Sequence, residues 1–242
     1  MSSSPSSSCT IPIAGESIDL LPERAACWTA RRTLIVSDLH LGKCETLRSA
    51  GMPIPTGVIE RDLDRLAAAV ARTNASRVLV VGDLIHHGSG LTPACIDLVA
   101  RFRRDTLAGV ELSLIRGNHD RRIEPVLEKW GVTELPAAHL EAPFGFAHDP
   151  ADGLVTGATC TWFGHLHPLC RVGTGSTAFA LPCFVVDVDH ILLPAFSRFT
   201  RGMAIPIPPD AAAYAVAEDR VLCVPTVSAA RRRPSCLDAG PG

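Results

Sequence analysis

The sequence lacks net charge, paired cysteines and long apolar runs. Its 23 basic residues nearly balance 25 acidic ones, and the formal charge of -2 gives no global basic field to attract nucleic acid. That count treats metal-binding carboxylates as free anions, and two bound dications would turn -2 into +2. Net charge therefore leaves nucleic acid unsupported rather than excluded. The nine cysteines (9, 27, 44, 95, 160, 170, 183, 223 and 236) are odd in number and irregularly spaced, with no CxxC pair. This argues against a disulfide framework or a zinc ribbon, and for scattered thiols in a reducing cytosol. No apolar run approaches membrane-spanning length, and Met1 to Thr10 is Ser-rich without the basic start and apolar stretch of a secretory signal. A soluble, cytoplasmic protein with no membrane partner is expected. No internal repeat is evident.

What is present is an ordinary globular composition, 47% hydrophobic and 20% charged over 242 residues, enough for one large domain with a sizeable core. Residues 1–14 and 228–242 have the composition of disordered ends, the latter carrying Arg231-Arg232-Arg233-Pro234, and 15–227 is expected to fold as a single domain. Thr33–Ser37, Arg77–Val81, Glu111–Ile115, Phe144–Ala147 and Cys160–Phe163 are short apolar runs that stop at polar clusters, the pattern of strands. Ile59, Leu63, Leu66 and Val70 recur at helical spacing, as do Ile96, Val99 and Phe102 after Pro93, a first-turn residue. The order β-α-β-α-β predicts parallel strands with helices packed outside and ligands beyond the strands' carboxyl ends. After residue 170, Thr177–Leu181, Cys183–Val188 and Ile191–Leu193 read as antiparallel strands joined by tight turns.

Each of the five strands ends in residues of metal-ligand type: Asp38-Leu39-His40, Gly82-Asp83, Gly117-Asn118-His119-Asp120, His148-Asp149 and Gly164-His165-Leu166-His167. One such cluster is weak evidence; five in succession are not. In extended chain, i and i+2 share a side, so Asp38 with His40, and His165 with His167, can each present two ligands while Leu39 and Leu166 face the core. Gly82, Gly117 and Gly164 stand where a side chain would crowd the cations or where a turn with positive φ favours glycine. Imidazole and carboxylate together suit first-row dications. Asp83, with two oxygens, is the natural bridge between two of them, and Asn118 adds a neutral oxygen. A water shared by such a pair loses a proton near neutral pH and attacks phosphorus while the metals hold the other oxygens. His119 then stands ready as proton donor to the leaving group, with Asp120 able to orient its ring or raise its pKa.

The ordered series D-x-H, G-D, G-N-H-[DE], H and G-H-x-H resembles the calcineurin-like metallophosphoesterase superfamily over roughly residues 32 to 200. The resemblance implies an α/β fold, a sandwich of two mixed β-sheets flanked by helices (α/β/β/α). It also implies one metal held by Asp38, His40, Asp83 and His167, and a second by Asp83, Asn118, His148 and His165. A bacterial family of ligase-associated DNA damage response endonucleases, also called helicase-neighbour metallophosphoesterases, is similar beyond these motifs. The similarity extends to Leu21-Pro22-Glu23-Arg24-Ala25, Ser37 through Lys43, Leu181-Pro182-Cys183-Phe184 and Leu193-Pro194-Ala195-Phe196, pieces with no evident chemistry of their own. Gly82-Asp83-Leu84-Ile85-His86 resembles the second motif of the superfamily's break-repair nucleases. The resemblance implies a Mn²⁺-dependent endonuclease acting on single-stranded or damaged DNA, in a repair pathway with a ligase and a helicase. Fe, Zn, Co or Ni fit the same ligands.

His148 is preferred to His139 as the lone-histidine ligand, because it ends an apolar run whereas His139 follows Ala137-Ala138 in a loop. His86 and His87 either meet substrate or cap the loop after Asp83, and Lys43 either meets a phosphate or is a solvated helix-start lysine. Arg121 and Arg122, beside the third motif, suit a nucleic-acid backbone. Arg101, Arg103 and Arg104 read as a solvated helix face, and Asp187, Asp189 and His190 as a turn. The same dimetal centre would serve a phosphoesterase acting on a cyclic nucleotide, a nucleotide-sugar lipid or a phosphoprotein. A binding scaffold without catalysis should show substituted ligands, and none is missing.

Overall fold

The computed structural model describes residues 7–173 and 178–224. Three antiparallel strands, β1 (Cys9–Ile13), β2 (Glu16–Leu21) and β3 (Ala25–Trp28), lead into β4 (Thr33–Val36). There follow α1 (Lys43–Ser49), α2 (Val58–Thr73), β5 (Arg77–Val81), α3 (Pro93–Asp105), β6 (Glu111–Ile115), α4 (Glu124–Trp130) and β7 (Val132–Leu135). β4 to β7 are parallel, completing a seven-stranded sheet in chain order. The second half supplies β8 (His139–Glu141), β9 (Phe144–Phe146), β10 (Cys160–Phe163), β11 (Pro168–Val172), β12 (Phe179–Val186), β13 (His190–Leu192), β14 (Met203–Ala204), β15 (Ala212–Ala217) and β16 (Arg220–Val224). They pair in the order β14-β11-β12-β13-β10-β9-β8, with β15 joining β12 to β16.

The apolar runs are unbroken because the first sheet is buried on both faces. Leu34 and Val36 of β4, and Val78 and Val80 of β5, pack against Leu63, Leu66 and Val70 of α2 and Val99 of α3. The alternate residues Ile35, Leu79 and Val81 face the second sheet and meet Phe144, Phe146, Trp162 and Phe184. Each fully buried side chain of this size contributes roughly 1.5–3 kcal/mol. α3 starts where expected: the Thr92 hydroxyl accepts from Cys95 N, and Pro93 occupies the first turn, where its missing N–H costs nothing. α2 ends at Asn74 in the left-handed region.

The structure is thus two mixed β-sheets with flanking helices. Among the described residues every α-helix precedes β7, and the outer face of the second sheet is covered by loop residues such as Val155, Ile205, Ile207 and Ala211. Residues 1–14 were expected to be disordered, yet Cys9–Ile13 is a strand, because Ile11 and Ile13 alternate into the core between the sheets. Residues 1–6 and the tail over 228–242 lie outside the described residues. The two strands expected over 177–181 and 183–188 are one, Phe179–Val186, which runs through Pro182 and there exchanges partner β11 for β15. Thr177 itself lies outside the described residues.

Candidate metal centre

Five strands from the two sheets, β4, β5, β6, β9 and β10, bring their carboxyl ends to one place, and each is followed within three residues by a candidate ligand. Backbone bonds tie these ends together: Asp38 N donates to Gly82 O at 3.1 Å, His40 N to Asp83 O at 2.9 Å, and Gly164 N to His148 O at 3.1 Å. Asp38, His40, Asp83, His165 and His167 all lie in the left-handed region, with φ between 47° and 64°. The paired ligands are therefore not displayed from extended chain, as the i, i+2 argument supposed. The surrounding bonds hold each in a sparsely populated conformation, a condition that persists only where the fold over-determines it. Leu39 is buried as expected, whereas Leu166 is only half-buried.

Three groups of side chains have ligating atoms that all lie within 4.8 Å of one another; two hold the expected ligands, Asp38 with His40 and His167, and Asp83 with His148 and His165, and the third joins His40 to His86 and His119. His165 and His167 thus diverge to different groups. Asp83 Oδ2 reaches toward both, 3.5 Å from His148 Nε2 and 3.9 Å from His40 Nε2. Asn118 Oδ1 lies 3.3 Å from His148 Nε2, on the same side as the second group. A Cβ at Gly82 would collide with the His148 ring, and one at Gly117 with the Asp83 carboxylate, so both positions require glycine by contact. Gly82 requires it also by its φ of 84°.

A dication pair fits these residues on local grounds. Asp38 Oδ1, both His40 ring nitrogens and His167 Nε2 are buried without hydrogen-bond partners. Asp38 Oδ1 and His167 Nε2 face each other at 3.1 Å without bonding geometry, as two ligand atoms aimed at a common point do. Buried polar atoms without partners are rare, and an ion accounts for a whole group of them. Burial pushes the His40 imidazole down to about 3, so that it stays neutral and able to ligate. For Asp83, burial alone would raise the pKa, but the hydrogen bond and charge of His148 and the His119 N–H outweigh it and bring it down to about 2. The same pairing lifts His148 to about 9 against the opposing effect of burial. His148 is also oriented by Val81 O, 3.1 Å from Nδ1.

His119 stands at the edge of the groups. Its backbone N–H donates to Asp83 Oδ1 at 2.9 Å, and its ring Nδ1 donates to His86 O at 2.7 Å. Asp120 does not orient this ring. It is buried, with Oδ1 accepting from Ile85 N and Oδ2 from Gly117 N, both at 2.9 Å, and so joins the loop after β5 to the loop after β6. Burial raises its pKa to about 6. Of the two histidines after Asp83, His86 faces the centre, its ring 5.5 Å from His40 and stacked at 5.0 Å on His119. His87 caps the following turn, accepting from Ser89 N. Lys43 starts α1 half-buried, donates to Thr200 Oγ1 at 3.1 Å, and has its pKa lowered by burial. Arg121 and Arg122 are exposed.

Some of the remaining expectations change. Arg103 is not part of a solvated face: it is half-buried and donates to Trp130 O and Val110 O, both at 3.0 Å. His139 pairs with Glu141 at 2.8 Å, and His190 with Asp189 at 2.7 Å, neither belonging to the two groups. Sequence reasoning placed Asp149 in a ligand-type cluster with His148 but gave it no role, and its Oδ2 lies 3.5 Å from His165 Nε2. It also missed what joins Leu21–Ala25 to Leu193–Phe196. Arg24 donates to Ala195 O (3.4 Å) and Ser197 O (3.2 Å), and Arg65 to Glu23 O (3.2 Å), to Asp62 (2.9 Å) and to Phe196 O. The loop so held donates from Phe196 N to Ser37 O and from Ser197 N to Asp38 O. The two pieces therefore meet behind the first ligand.

Residues 31–191 match the calcineurin-like phosphoesterase family. In three dimensions the chain is similar to the nuclease MPE of Pseudomonas putida, at 29% identity and a TM-score of 0.76, over 89% of this chain and 100% of that one. It also matches AQ665 of Aquifex aeolicus, a protein of unknown function, at 16% identity and TM-score 0.39, over 56% of this chain and 78% of that one. A further match is the E. coli phosphoesterase Yfce, at 13% identity and TM-score 0.44, over 79% and 97% of the two chains. No curated protein matches in sequence.

Proposed function

The chain belongs to the calcineurin-like phosphoesterase family, whose members are metal-dependent hydrolases, and from that premise we propose a dimetal phosphodiesterase that cuts DNA internally, in a repair setting. The observation that carries the proposal is Asp83, whose carboxylate stands between the two ligand groups within 4 Å of a histidine from each. In this reading Asp38, His40, Asp83 and His167 hold one cation, and Asp83, Asn118, His148 and His165 the other. Such a pair supplies Lewis acidity toward the phosphate and activates water. Mn²⁺ is the proposed native metal, and Fe, Zn, Co or Ni would satisfy the same donors.

The protein's own groups then have defined tasks. With Nδ1–H fixed on His86 O, Nε2 is the ring atom of His119 left for proton transfer, from which an imidazolium would deliver its proton to the leaving oxygen. Asp120 positions the loops that carry Asp83 and His119. His86 lies against the His119 ring, and Arg121 and Arg122 offer exposed guanidinium groups to phosphates flanking the scissile one. The likeness to a nuclease over nearly the whole of both chains supports a nucleic-acid substrate. Functional association with a ligase and a helicase belongs to the same proposal, as does a cytoplasmic location, with which the free cysteines agree. The described residues act in it as one phosphoesterase domain. None of the helices is long and apolar enough to cross a membrane, among the described residues.

Metal-stripped protein incubated with end-labelled single-stranded DNA, with and without Mn²⁺ and beside Asp83→Ala, tests this directly. Internal cuts that need both Mn²⁺ and Asp83, with a loss of at least about a thousandfold in the variant, are expected. Intact DNA beside turnover of a small phosphodiester would overturn the nuclease reading while keeping the phosphoesterase.

A further inference from the structure

A cavity of about 830 Å³ opens beside the metal centre, between the loop after β5, the start of α3 and the segment that leads into α4. Its inner wall is formed by Asn118 and the stacked rings of His86 and His119, so whatever fills it touches the place where phosphate chemistry is expected. Its other side is apolar, from Leu91, Ile96 and Val126. Arg121 and Arg122 complete the lining, and both are exposed and make no ion pair among the described residues. Arg116, a few residues earlier, is committed to Glu124 and Glu134. A second cavity, of about 280 Å³, has Glu45 and Glu60 beside Arg48 and Arg101 in its lining and includes none of the candidate metal ligands.

We propose that the larger cavity is a nucleoside subsite, which takes the base and sugar attached to the scissile phosphate while the two guanidinium groups meet the next phosphate along the strand. The inference rests on the nucleic-acid reading of the same centre and narrows it. The space far exceeds what a phosphate needs and falls in the range of sites for organic ligands. A flat, partly apolar group joined to phosphates is what an apolar wall, imidazole faces and free guanidinium groups recognise together. The cavity is also preformed. His87 accepts from Ser89 N, and Gly90 N donates back to His87 O at 3.0 Å, which fixes the turn over Gly88–Gly90. Within that turn Gly88 borders the cavity, and a Cβ there would meet nothing within 4 Å. A large side chain at this position would meet open space at the border of the cavity and would not strain the backbone.

The test is calorimetric titration of the Mn²⁺-loaded protein with inorganic phosphate, deoxyribose 5-phosphate and thymidine 5′-monophosphate. Thymidine monophosphate should bind about tenfold or more tightly than either of the others. Gly88→Trp should remove that advantage while changing phosphate binding less than about twofold, and Gly88→Ala should retain it. Equal affinities for thymidine monophosphate and deoxyribose phosphate in the unsubstituted protein would overturn the proposal, as would a preference that survives Gly88→Trp. Binding is read without turnover. A parallel failure to hydrolyse bis(p-nitrophenyl) phosphate would therefore count against the phosphoesterase reading alone.

Discussion

Two pairs of arginines stand on opposite sides of the metal centre. Arg24 and Arg65 lie behind it, with their donors spent on the carbonyls of Ala195, Phe196 and Ser197 and on Asp62, and the Arg65 guanidinium sits 4.3 Å from the centre of the Phe196 ring. Burial, with the neighbouring charge of Arg65, brings the Arg24 pKa down to about 10, and burial lowers Arg65 as well. Arg121 and Arg122 lie in front, exposed and without carboxylate partners among the described residues. Side-chain chemistry is the same in all four. The difference lies in whether the guanidinium is committed to partners within the protein: a committed, desolvated arginine holds the fold, and an exposed one without such partners is free to hold a phosphate.

The sharpest way to break this comparison is Arg65→Met. Removing a buried cation strands Asp62 and several carbonyls, at a cost of about 3 kcal/mol, which for a chain of this size lowers the melting temperature by roughly 6–12 °C. Mn²⁺ affinity should fall with it, because the loop it holds is bonded to the backbone of Ser37 and Asp38. An unchanged melting curve would show that the rear pair is not structural.

Arg121→Ala combined with Arg122→Ala should do the reverse, leaving melting unchanged and weakening single-stranded DNA binding about tenfold. The slope of log affinity against log salt should drop by about 1.4, the value for two lost contacts on a single strand. A salt slope equal to that of the unsubstituted protein would remove these residues from the phosphate path.

A smaller effect asks whether neighbours rather than residue type also govern the histidines. His40 is held neutral by burial above a pKa of about 3, whereas His148, paired with Asp83, keeps its proton up to about 9. A cation must displace the His148 proton, so metal affinity should rise with pH below 9, by at most about tenfold per unit from this group. His40, already neutral, adds nothing to that slope. Calorimetry at pH 7 in buffers of different ionisation enthalpy should record close to one proton released that His148→Asn no longer releases. Equal proton release by both proteins would contradict the assignment.

Much of this architecture was legible in one dimension. Runs such as Leu34–Val36 and Val78–Val81 are apolar at every position because both faces of their sheet are covered, and that pattern survives in sequence without any knowledge of what covers it. α1 and α4, each of seven residues, are too short to show a helical period, and β14 has only two residues. At the centre the residue types and their order were readable, since ligand chemistry is local to each motif. The role of Asp120 was not: an adjacent carboxylate suggests a partner for His119, and only the approach of Ile85 and Gly117 gives it a different one.

The sequence by itself determined the family, the β-α-β-α-β order that runs from β4 to β6 and the residue types that follow those strands, because periodicity and donor chemistry are properties of neighbours along the chain. Only the tertiary structure decided that His165 and His167 part company, that His86 faces the centre while His87 caps a turn, and that Leu21–Ala25 and Leu193–Phe196 meet behind Asp38. Those outcomes depend on which groups become adjacent across two sheets, and on which polar atoms burial leaves in need of a partner.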